Sequence, residues 1–407
     1  MNVASVLMKG CRLLLAFAFS GLATVALCQE EKGSLEIHGF IMMDAGYNFN
    51  SIDPQWFDVM RPTKLPAFSG EYGSEGNVYF GVRQSRIGLK SVMPTSQGEV
   101  KANFDIDMFG FGADAGQTTF HIINAFVEWR RFLVGQTASA FMDTDIVPIT
   151  LDYWGPCSRT FNFNLQFRYN IIRNEKNRLA VALDRPNAKA DGGSYRPQLD
   201  LENVEPQFMM PNLVAHYRRA TSWGHFQTGA LFKLMKWNDL SGANPYDLTG
   251  QAIGWGLNAS ARIFVGKMLT IKTEAVYGEG AQSYFADAPP DVGLQSNYDD
   301  PVRPVKGKAL PIYGYYLFTE WTWTPKLSST IGYAAQQVNN SDLQDASAFR
   351  NGQYAQINLR YYPVDRVMAG IEFQYGRREN FQDGYSTTGN KIQLSFKYTF
   401  TSGELIH

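Results

Sequence analysis

The sequence predicts an all-β protein: a transmembrane antiparallel β-barrel of about 16 strands with its third long loop folded inward. Three observations carry this prediction. Apolar and polar residues alternate with a period of two along much of the chain. Tight turns and long polar loops alternate between these runs. The composition combines a mean hydropathy of −0.25 with 14% aromatic residues. A wet interior and an aromatic outer girdle require that mixture.

The clearest alternation lies near the end of the chain. A period of two indicates a β-strand, because successive side chains point to opposite faces. One face here is apolar and the other polar: Ile392, Leu394, Phe396, Tyr398 and Phe400 alternate with Lys391, Gln393, Ser395, Lys397 and Thr399. In a soluble sandwich the apolar face would join a core, and in a barrel it would meet lipid. This strand alone leaves both interpretations open.

The third run favours the barrel. Val100, Ala102, Phe104, Ile106 and Met108 alternate with Glu99, Lys101, Asn103, Asp105 and Asp107. A charged face of that density does not fit a soluble core, so it has to face water. The same alternation predicts sixteen strands in chain order, near residues 35–47, 83–93, 99–108, 123–129, 132–139, 164–171, 179–183, 213–217, 226–234, 253–263, 269–277, 313–323, 327–338, 353–361, 367–375 and 391–400.

The lengths of the connections give independent support. Five tight turns are predicted at residues 94–97, 130–131, 265–267, 324–326 and 362–365. Eight long loops lie between them, at residues 48–78, 110–119, 140–163, 185–211, 236–250, 278–311, 338–351 and 377–390. Outer-membrane barrels have short turns at one end and long loops at the other. A β-sandwich stays open as the alternative, although such long loops are uncommon in compact soluble domains.

The first segment of the chain predicts export. Residues 1–28 have the form of a signal peptide, with Lys9 and Arg12 before an apolar run. Cleavage after Cys28 is expected, and a lipid-bearing Cys28 is the alternative. Removing this segment takes the formal net charge from −1 to −3, which gives no support for nucleic-acid binding. Residues 29–400 are then one barrel domain in contact with outer-membrane lipid, and residues 401–407 are a short tail.

Several short motifs resemble the DcaP-like outer-membrane porins. They lie at residues 53–66, 82–86, 114–119, 135–137, 141–143 and 153–156. The resemblance implies a sixteen-stranded homotrimeric channel in the bacterial outer membrane, with the third extracellular loop folded inward. It also implies a preference for small anionic solutes, dicarboxylates among them. Two features depart from the family: only about six residues separate Cys28 from the first strand, and residues follow Phe400.

For a channel, the candidate functional residues are charges in the lumen, because charged rings set ion preference. Arg86, Lys90, Arg168 and Arg360 share the parity of polar neighbours and are predicted to face the lumen. Lys101 and Lys233 share this parity. Arg83 stands on the parity of outward-facing residues. A regular strand would expose it to lipid at a cost of about 2–4 kcal/mol, unless a bulge or a subunit interface shelters it.

Acidic residues fall mainly in two loops. Asp143 and Asp145, with Asp152, lie in the loop expected to fold inward. They would either oppose a basic wall across the lumen or shape the loop through backbone hydrogen bonds. In a later loop, Asp287, Asp291, Asp299 and Asp300 lack calcium-loop spacing, so solvated exposure is expected and no metal site is predicted.

No enzymatic site or cofactor is predicted. A serine hydrolase would need a serine, a histidine and an orienting partner close together. His121 is placed on an apolar face two residues before Ile123, without a nearby serine, and Cys157 is alone in the mature chain. The function predicted is passive diffusion of small hydrophilic solutes, organic anions above all. A sugar-preferring porin is the alternative, disfavoured because most aromatics hold the outward parity. A non-conducting structural or adhesive barrel also stays open.

Overall fold

The computed structural model describes residues 33–192, 204–240 and 247–402. The predicted signal peptide, including Cys28, and residues 403–407 of the predicted tail lie outside this range. No helix among the described residues is long and apolar enough to cross a membrane.

Sixteen strands form the wall. They are β1 (Ser34–Asn48), β2 (Asn77–Gly81 and Arg86–Met93), β3 (Val100–Phe109), β4 (Thr118–Trp129), β5 (Phe132–Ala138), β6 (Phe163–Arg173), β7 (Asn177–Asp184), β8 (Asn212–Thr221), β9 (Gly224–Asp239), β10 (Gly250–Val265), β11 (Leu269–Glu279), β12 (Pro311–Thr324), β13 (Leu327–Val338), β14 (Phe349–Tyr361), β15 (Val367–Asn380) and β16 (Ser386–Thr401). Each of the sixteen runs predicted from the sequence lies on one of these strands.

The sheet closes on itself. Every strand pairs antiparallel with the next in the chain. The last strand then pairs with the first, in a register that runs from His38 opposite Thr401 to Asn48 opposite Lys391. Closure satisfies the backbone groups of both edges, which is the condition for a sheet to cross a bilayer. The predicted fold class is confirmed.

The two faces of the wall differ as the alternation predicts. Large apolar side chains point outward, and Leu257, Ile331 and Phe396 are half exposed or more. Their neighbours on the other parity, such as Asn258, Thr330 and Gln393, are polar and buried. They are buried because loops fill much of the interior. The outer face therefore offers an apolar band to lipid, while the inner face holds polar side chains.

Two local irregularities change the predicted orientation of side chains. Strand β2 is interrupted at residues 82–85, and both of its segments pair with β1. The predicted loop at residues 48–78 reached into the first segment, Asn77–Gly81, and the predicted strand began at Arg83, inside the break. In β4 the register shifts, so that Asp105 opposes Asn124 and Ile106 opposes Ile122. The extra residue, Ile123, turns inward and is only 2% exposed. The β-bulge reverses the predicted face there.

Three loops supply most of the interior: L1 (residues 49–76), L3 (residues 139–162) and L6 (residues 280–310). Their apolar side chains pack with inward-facing residues of the wall, as Leu65 and Ile146 do with Tyr316 and Tyr354. A small sheet on the long-loop side pairs Val292–Ser296 with both Val305–Ala309 and Ala190–Asp191. The interior is therefore a packed set of loops around a remaining cavity.

Candidate functional site

The loop L3 lies against the inner face of the wall. Carboxylates on the strands accept hydrogen bonds from its backbone: Leu151 N donates to Glu372 at 2.7 Å and Thr160 N donates to Glu274 at 2.9 Å. Inward-facing carboxylates of the wall therefore bind the loop through its backbone N–H groups. A carboxylate fixes such donors strongly because the bond is charge-assisted.

The first aspartates of L3 anchor it to the wall. Asp143 lies 2.8 Å from His225 Nε2 and accepts a hydrogen bond from Ser260 Oγ at 2.8 Å. Burial raises the pKa of Asp143, but the bonds from His225 and Ser260 and the charge of Arg218 outweigh it and hold that pKa below its usual value. Arg218 also pairs with Asp145. Neither aspartate lines the cavity of about 1030 Å³ that remains between the loops and the wall.

Asp152 joins two loops and the terminal strand. Its carboxylate accepts a hydrogen bond from Met60 N in L1 at 2.8 Å and pairs with Lys391 Nζ at 2.9 Å. Both side chains are fully buried. The pair therefore fixes L1 and L3 together against β16.

An arginine of L1 is held between two indole rings. The Arg61 guanidinium lies 4.1 Å from the ring centres of both Trp56 and Trp154. Arg61 Nε donates to Asp287 Oδ1 in L6 at 2.9 Å. Cation–π contact on both faces and a buried ion pair leave this side chain little freedom.

The acidic residues of L6 correct one prediction. Asp287 and Asp291 are each 0% exposed, whereas solvated exposure was expected. Asp287 is paired with Arg61, and Asp291 lies 2.9 Å from Lys233 Nζ. The expectation was wrong for these two residues because this part of the loop folds into the barrel, where buried carboxylates need cationic partners. Asp299 is exposed, as expected.

A cavity of about 1030 Å³ remains between the loops and the wall. Its charged lining is strongly unbalanced. Among the described residues, the only carboxylate that lines it is Asp152, which pairs with Lys391. Eight cationic side chains of the described chain line it: Arg61, Lys64, Arg86, Arg159, Arg185, Lys189, Arg360 and Lys397. Three of them lie within 4.0 Å of a carboxylate outside the lining: Arg61 near Asp287, Lys64 near Asp53 and Arg86 near Asp107. We call this space the basic cavity.

Three of these cations form one part of the barrel wall, which we call the basic wall: Arg86, Arg360 and Lys397. Arg86 and Lys397 flank the ring of Phe40, at 5.8 Å and 5.3 Å from its centre. Arg86 and Arg360 are near enough to Lys397 to repel its ammonium charge. Among the described residues, no carboxylate lies within 4.0 Å of Lys397 or Arg360, and Arg86 is 3.8 Å from Asp107. The basic wall thus carries more charge than its neighbours neutralise.

The structure separates the cations predicted to face the lumen. Arg86 and Arg360 line the basic cavity. Lys90 shares the inward parity of Arg86 but is exposed and does not line the cavity. Arg168 donates to Gln166 and to the Ala138 carbonyl, away from the cavity. Arg83 sits in the break of β2, only 2% exposed, and does not face lipid.

Other lining residues were missed. Arg61, Lys64, Arg159, Arg185 and Lys189 come from loops, where no periodicity indicates which way a side chain points. Lys397 is different, because the alternation of the terminal strand already assigns it to the polar face. His121 also lines the cavity, 3.3 Å from Asp107, and does not stand on an apolar face.

Aromatic side chains from the loops also line the basic cavity. Trp56, Phe111, Tyr153, Trp154 and Phe161 all belong to its lining. From the sequence, a sugar-preferring porin was disfavoured because the aromatic residues of the strands point outward. That prediction overlooked the loops, where an inward aromatic surface forms. The cavity therefore combines a cationic lining with aromatic surface.

Comparison with known proteins agrees with this architecture. The family model described as DcaP outer membrane protein matches residues 25–228. The chain is similar in structure to the outer membrane channel DcaP of Acinetobacter baumannii. The two are 21% identical with a TM-score of 0.74, over 92% of this chain and 99% of that one.

Two further solved structures share the fold. The anion-selective porin from Comamonas acidovorans gives a TM-score of 0.56 at 8% identity, over 91% of this chain and 100% of that one. The trimer form of OmpT, an outer membrane protein of Vibrio cholerae, gives 0.53 at 11% identity, over 91% of this chain and 100% of that one. No curated protein sequence matches the chain.

The family match spans half of the chain, and the closed sixteen-stranded wall is that of an outer-membrane channel. The chain belongs to the DcaP outer membrane protein family and is a porin-type β-barrel of the outer membrane.

Proposed function

We propose that this porin lets small organic anions, such as dicarboxylates, diffuse passively across the outer membrane. The observation that carries the proposal is the lining of the basic cavity: five of its eight cations have no carboxylate within 4.0 Å among the described residues, and its one aspartate is paired with Lys391. An unbalanced lining between low-dielectric walls concentrates solutes of the opposite charge. Diffusion down a gradient then needs no covalent chemistry, no cofactor and no metal ion.

The basic wall is the selective element of this proposal. Lys397 and Arg360 have no carboxylate within ion-pair distance among the described residues, so their fields extend into the cavity. Two unit charges 4 Å apart interact by about 1 kcal/mol in water and about 4 kcal/mol at an effective dielectric of 20. Attraction within that range biases permeation without trapping the solute.

The test is a pair of double variants that remove the same charge. R86Q/R360Q removes two cations of the basic wall. R168Q/K90Q removes two inward cations that do not line the cavity. Reversal potentials in a salt gradient should shift towards cations in the first variant and much less in the second. Succinate uptake should slow more than uptake of a neutral sugar in R86Q/R360Q. Equal loss of both fluxes would mean that the arginines shape the pore and do not select anions.

A sugar-preferring porin is the second candidate, and the aromatic lining is the observation that favours it. Indole and phenyl faces such as those of Trp154 and Phe161 can stack on sugar rings. The same recordings separate the two candidates. Under anion selectivity, wild-type reversal potentials lie on the anion side and succinate passes faster than a sugar of similar size. A non-conducting barrel would give no current at all.

We further propose that the channel assembles as a homotrimer within outer-membrane lipid. The trimer form of the Vibrio cholerae protein shows that a barrel of this fold can assemble in threes, and that statement concerns that protein alone. The apolar outer face of this chain can contact lipid or a second copy equally. Cross-linking in native outer membranes should give a band of three chains. A ladder that stops at one chain would refute the assembly.

A further inference from the structure

We propose that the cavity contains a second anion-binding site, formed by loop residues and not by the strand residues of the basic wall. Its cations are Arg159 of L3 and Arg185 and Lys189 from the chain that follows β7, and all three line the basic cavity. We call them the loop cluster. Its ligand is a small carboxylate. The proposal rests on the proposed function, because it places a second binding site on the same anion path.

Hydrogen bonds bring together the segments that carry the loop cluster. Ala286 N donates to the Arg159 carbonyl at 2.8 Å, so the end of L3 runs beside L6. On the other side, Asn164 Nδ2 donates to the Arg185 carbonyl at 2.8 Å. Ser283 Oγ, in L6, donates to Asn187 Oδ1 at 3.4 Å. Residues 159–164, 185–189 and 283–286 therefore surround one end of the cavity.

The carboxylates near the loop cluster are occupied by other donors. Asp291 accepts from Lys233 Nζ at 2.9 Å and from the backbone N of Lys189 at 2.9 Å. Glu274 accepts from the backbone and hydroxyl of Thr160. Among the described residues, no carboxylate lies within ion-pair distance of the Arg159, Arg185 or Lys189 side chains. The cluster's charge is left for a ligand.

Buried donors add to this excess. Arg159 is 5% exposed, and its guanidinium donates to the Trp154 carbonyl at 2.7 Å. Its Nε, and Nδ2 of Asn162 beside it in the cavity lining, have no acceptor among the described residues. A buried donor without an acceptor costs free energy. An anion in the cavity lowers that cost, because it interacts favourably with the electric field of these donors. Arg185 and Lys189 are exposed and supply the accessible charge.

Two anion-binding sites in series affect the kinetics of conduction in a way that a single site does not. Conduction requires binding strong enough to recruit the solute and weak enough to release it, and several weak sites meet both conditions. The loop cluster lies among long loops, whereas the basic wall belongs to the strands. Its expected role is to set the solute concentration at which flux saturates. The basic wall sets the sign of the ion preference.

The experiment measures succinate current against succinate concentration in single channels. R185Q/K189Q removes the two accessible cations of the loop cluster. K306Q/K308Q is the matched control, because it removes two cations of L6 that do not line the basic cavity. The half-saturating succinate concentration should rise about threefold or more in R185Q/K189Q and stay near wild type in the control. The reversal potential of R185Q/K189Q should stay on the anion side.

The outcomes distinguish the two proposals. A wild-type channel without anion selectivity would overturn the proposed function. An anion-selective channel whose half-saturating concentration is unchanged in R185Q/K189Q would overturn the second site alone. An equal rise in K306Q/K308Q would show that general surface charge, and not the loop cluster, recruits the solute. Folding of each variant is checked by its heat-dependent mobility on gels.

Discussion

Arg83 shows at the scale of one residue how the barrel accommodates a charge on the wrong parity. The break in β2 turns its side chain away from lipid, and Asp58 in L1 accepts from Nη1 at 2.8 Å and 2.9 Å. The guanidinium also lies 3.9 Å from the ring centre of Phe109. Burial raises the pKa of Asp58, while the charge of Arg83 opposes that rise. Each charge is tolerated because the other is present.

Replacing Arg83 by methionine should therefore destabilise the barrel by about 3–5 kcal/mol, because Asp58 is left buried and unpaired. Without Arg83, burial raises the pKa of folded Asp58 above that of unfolded Asp58, so the stability of R83M should rise as the pH falls from neutral through that raised pKa. The measurement is urea unfolding in detergent micelles. The double variant R83M/D58N is the control and should recover part of the loss. A loss below about 0.5 kcal/mol would mean that water reaches the pair.

At the scale of the elements, prediction from sequence succeeded where a period exists. The alternation predicted every strand of the wall, because inward and outward residues face different media. It failed at the bulge beside Ile123, where one inserted residue reverses the faces. It was also silent on loop cations such as Arg61, whose position depends on packing between Trp56 and Trp154. Of the cations that line the basic cavity, the sequence therefore predicted as functional only Arg86 and Arg360, which lie on strands.

The position of L3 depends on carboxylates of the wall. Glu372 is fully buried and accepts from Leu151 N at 2.7 Å and Asp152 N at 3.1 Å. Glu320 does the same for Ile149 N at 2.8 Å. Residues 147–152 line the basic cavity, so the bonds that hold this stretch also set the width of the cavity.

The variant E372Q should loosen L3 and raise single-channel conductance and its fluctuations. The glutamine keeps one acceptor oxygen but places an NH₂ donor against one of the two backbone N–H groups, at a cost of about 1–3 kcal/mol. Conductance recordings at constant salt measure the effect. The control is E379Q on the same strand, because Glu379 pairs with Arg377 near the surface. A quiet channel of wild-type conductance in E372Q would show that the remaining contacts hold the loop.

At the scale of the whole molecule, the wall separates two media with one layer of residues. The outward parity is apolar along β10, where Leu257 is 54% exposed, while its neighbour Asn258 is buried and donates to the Phe141 carbonyl in L3. The packed loops inside stabilise the inner face, and the apolar outer face is left to the surrounding membrane. The stability of the molecule thus depends on the bilayer as well as on its own contacts.

Arginine substitutions along one outward row of β10 test this dependence. Leu257 lies near the middle of Gly250–Val265, and Val265 is the last residue of that strand and also points outward. L257R should destabilise the barrel by about 2–4 kcal/mol in lipid vesicles, and V265R by about 0–1 kcal/mol, because the cost of a charge falls from the midplane to the interface. Reversible denaturant unfolding from vesicles measures both. Equal costs at the two positions would mean that β10 does not cross a bilayer along its length, and the proposed orientation of the barrel would have to be abandoned.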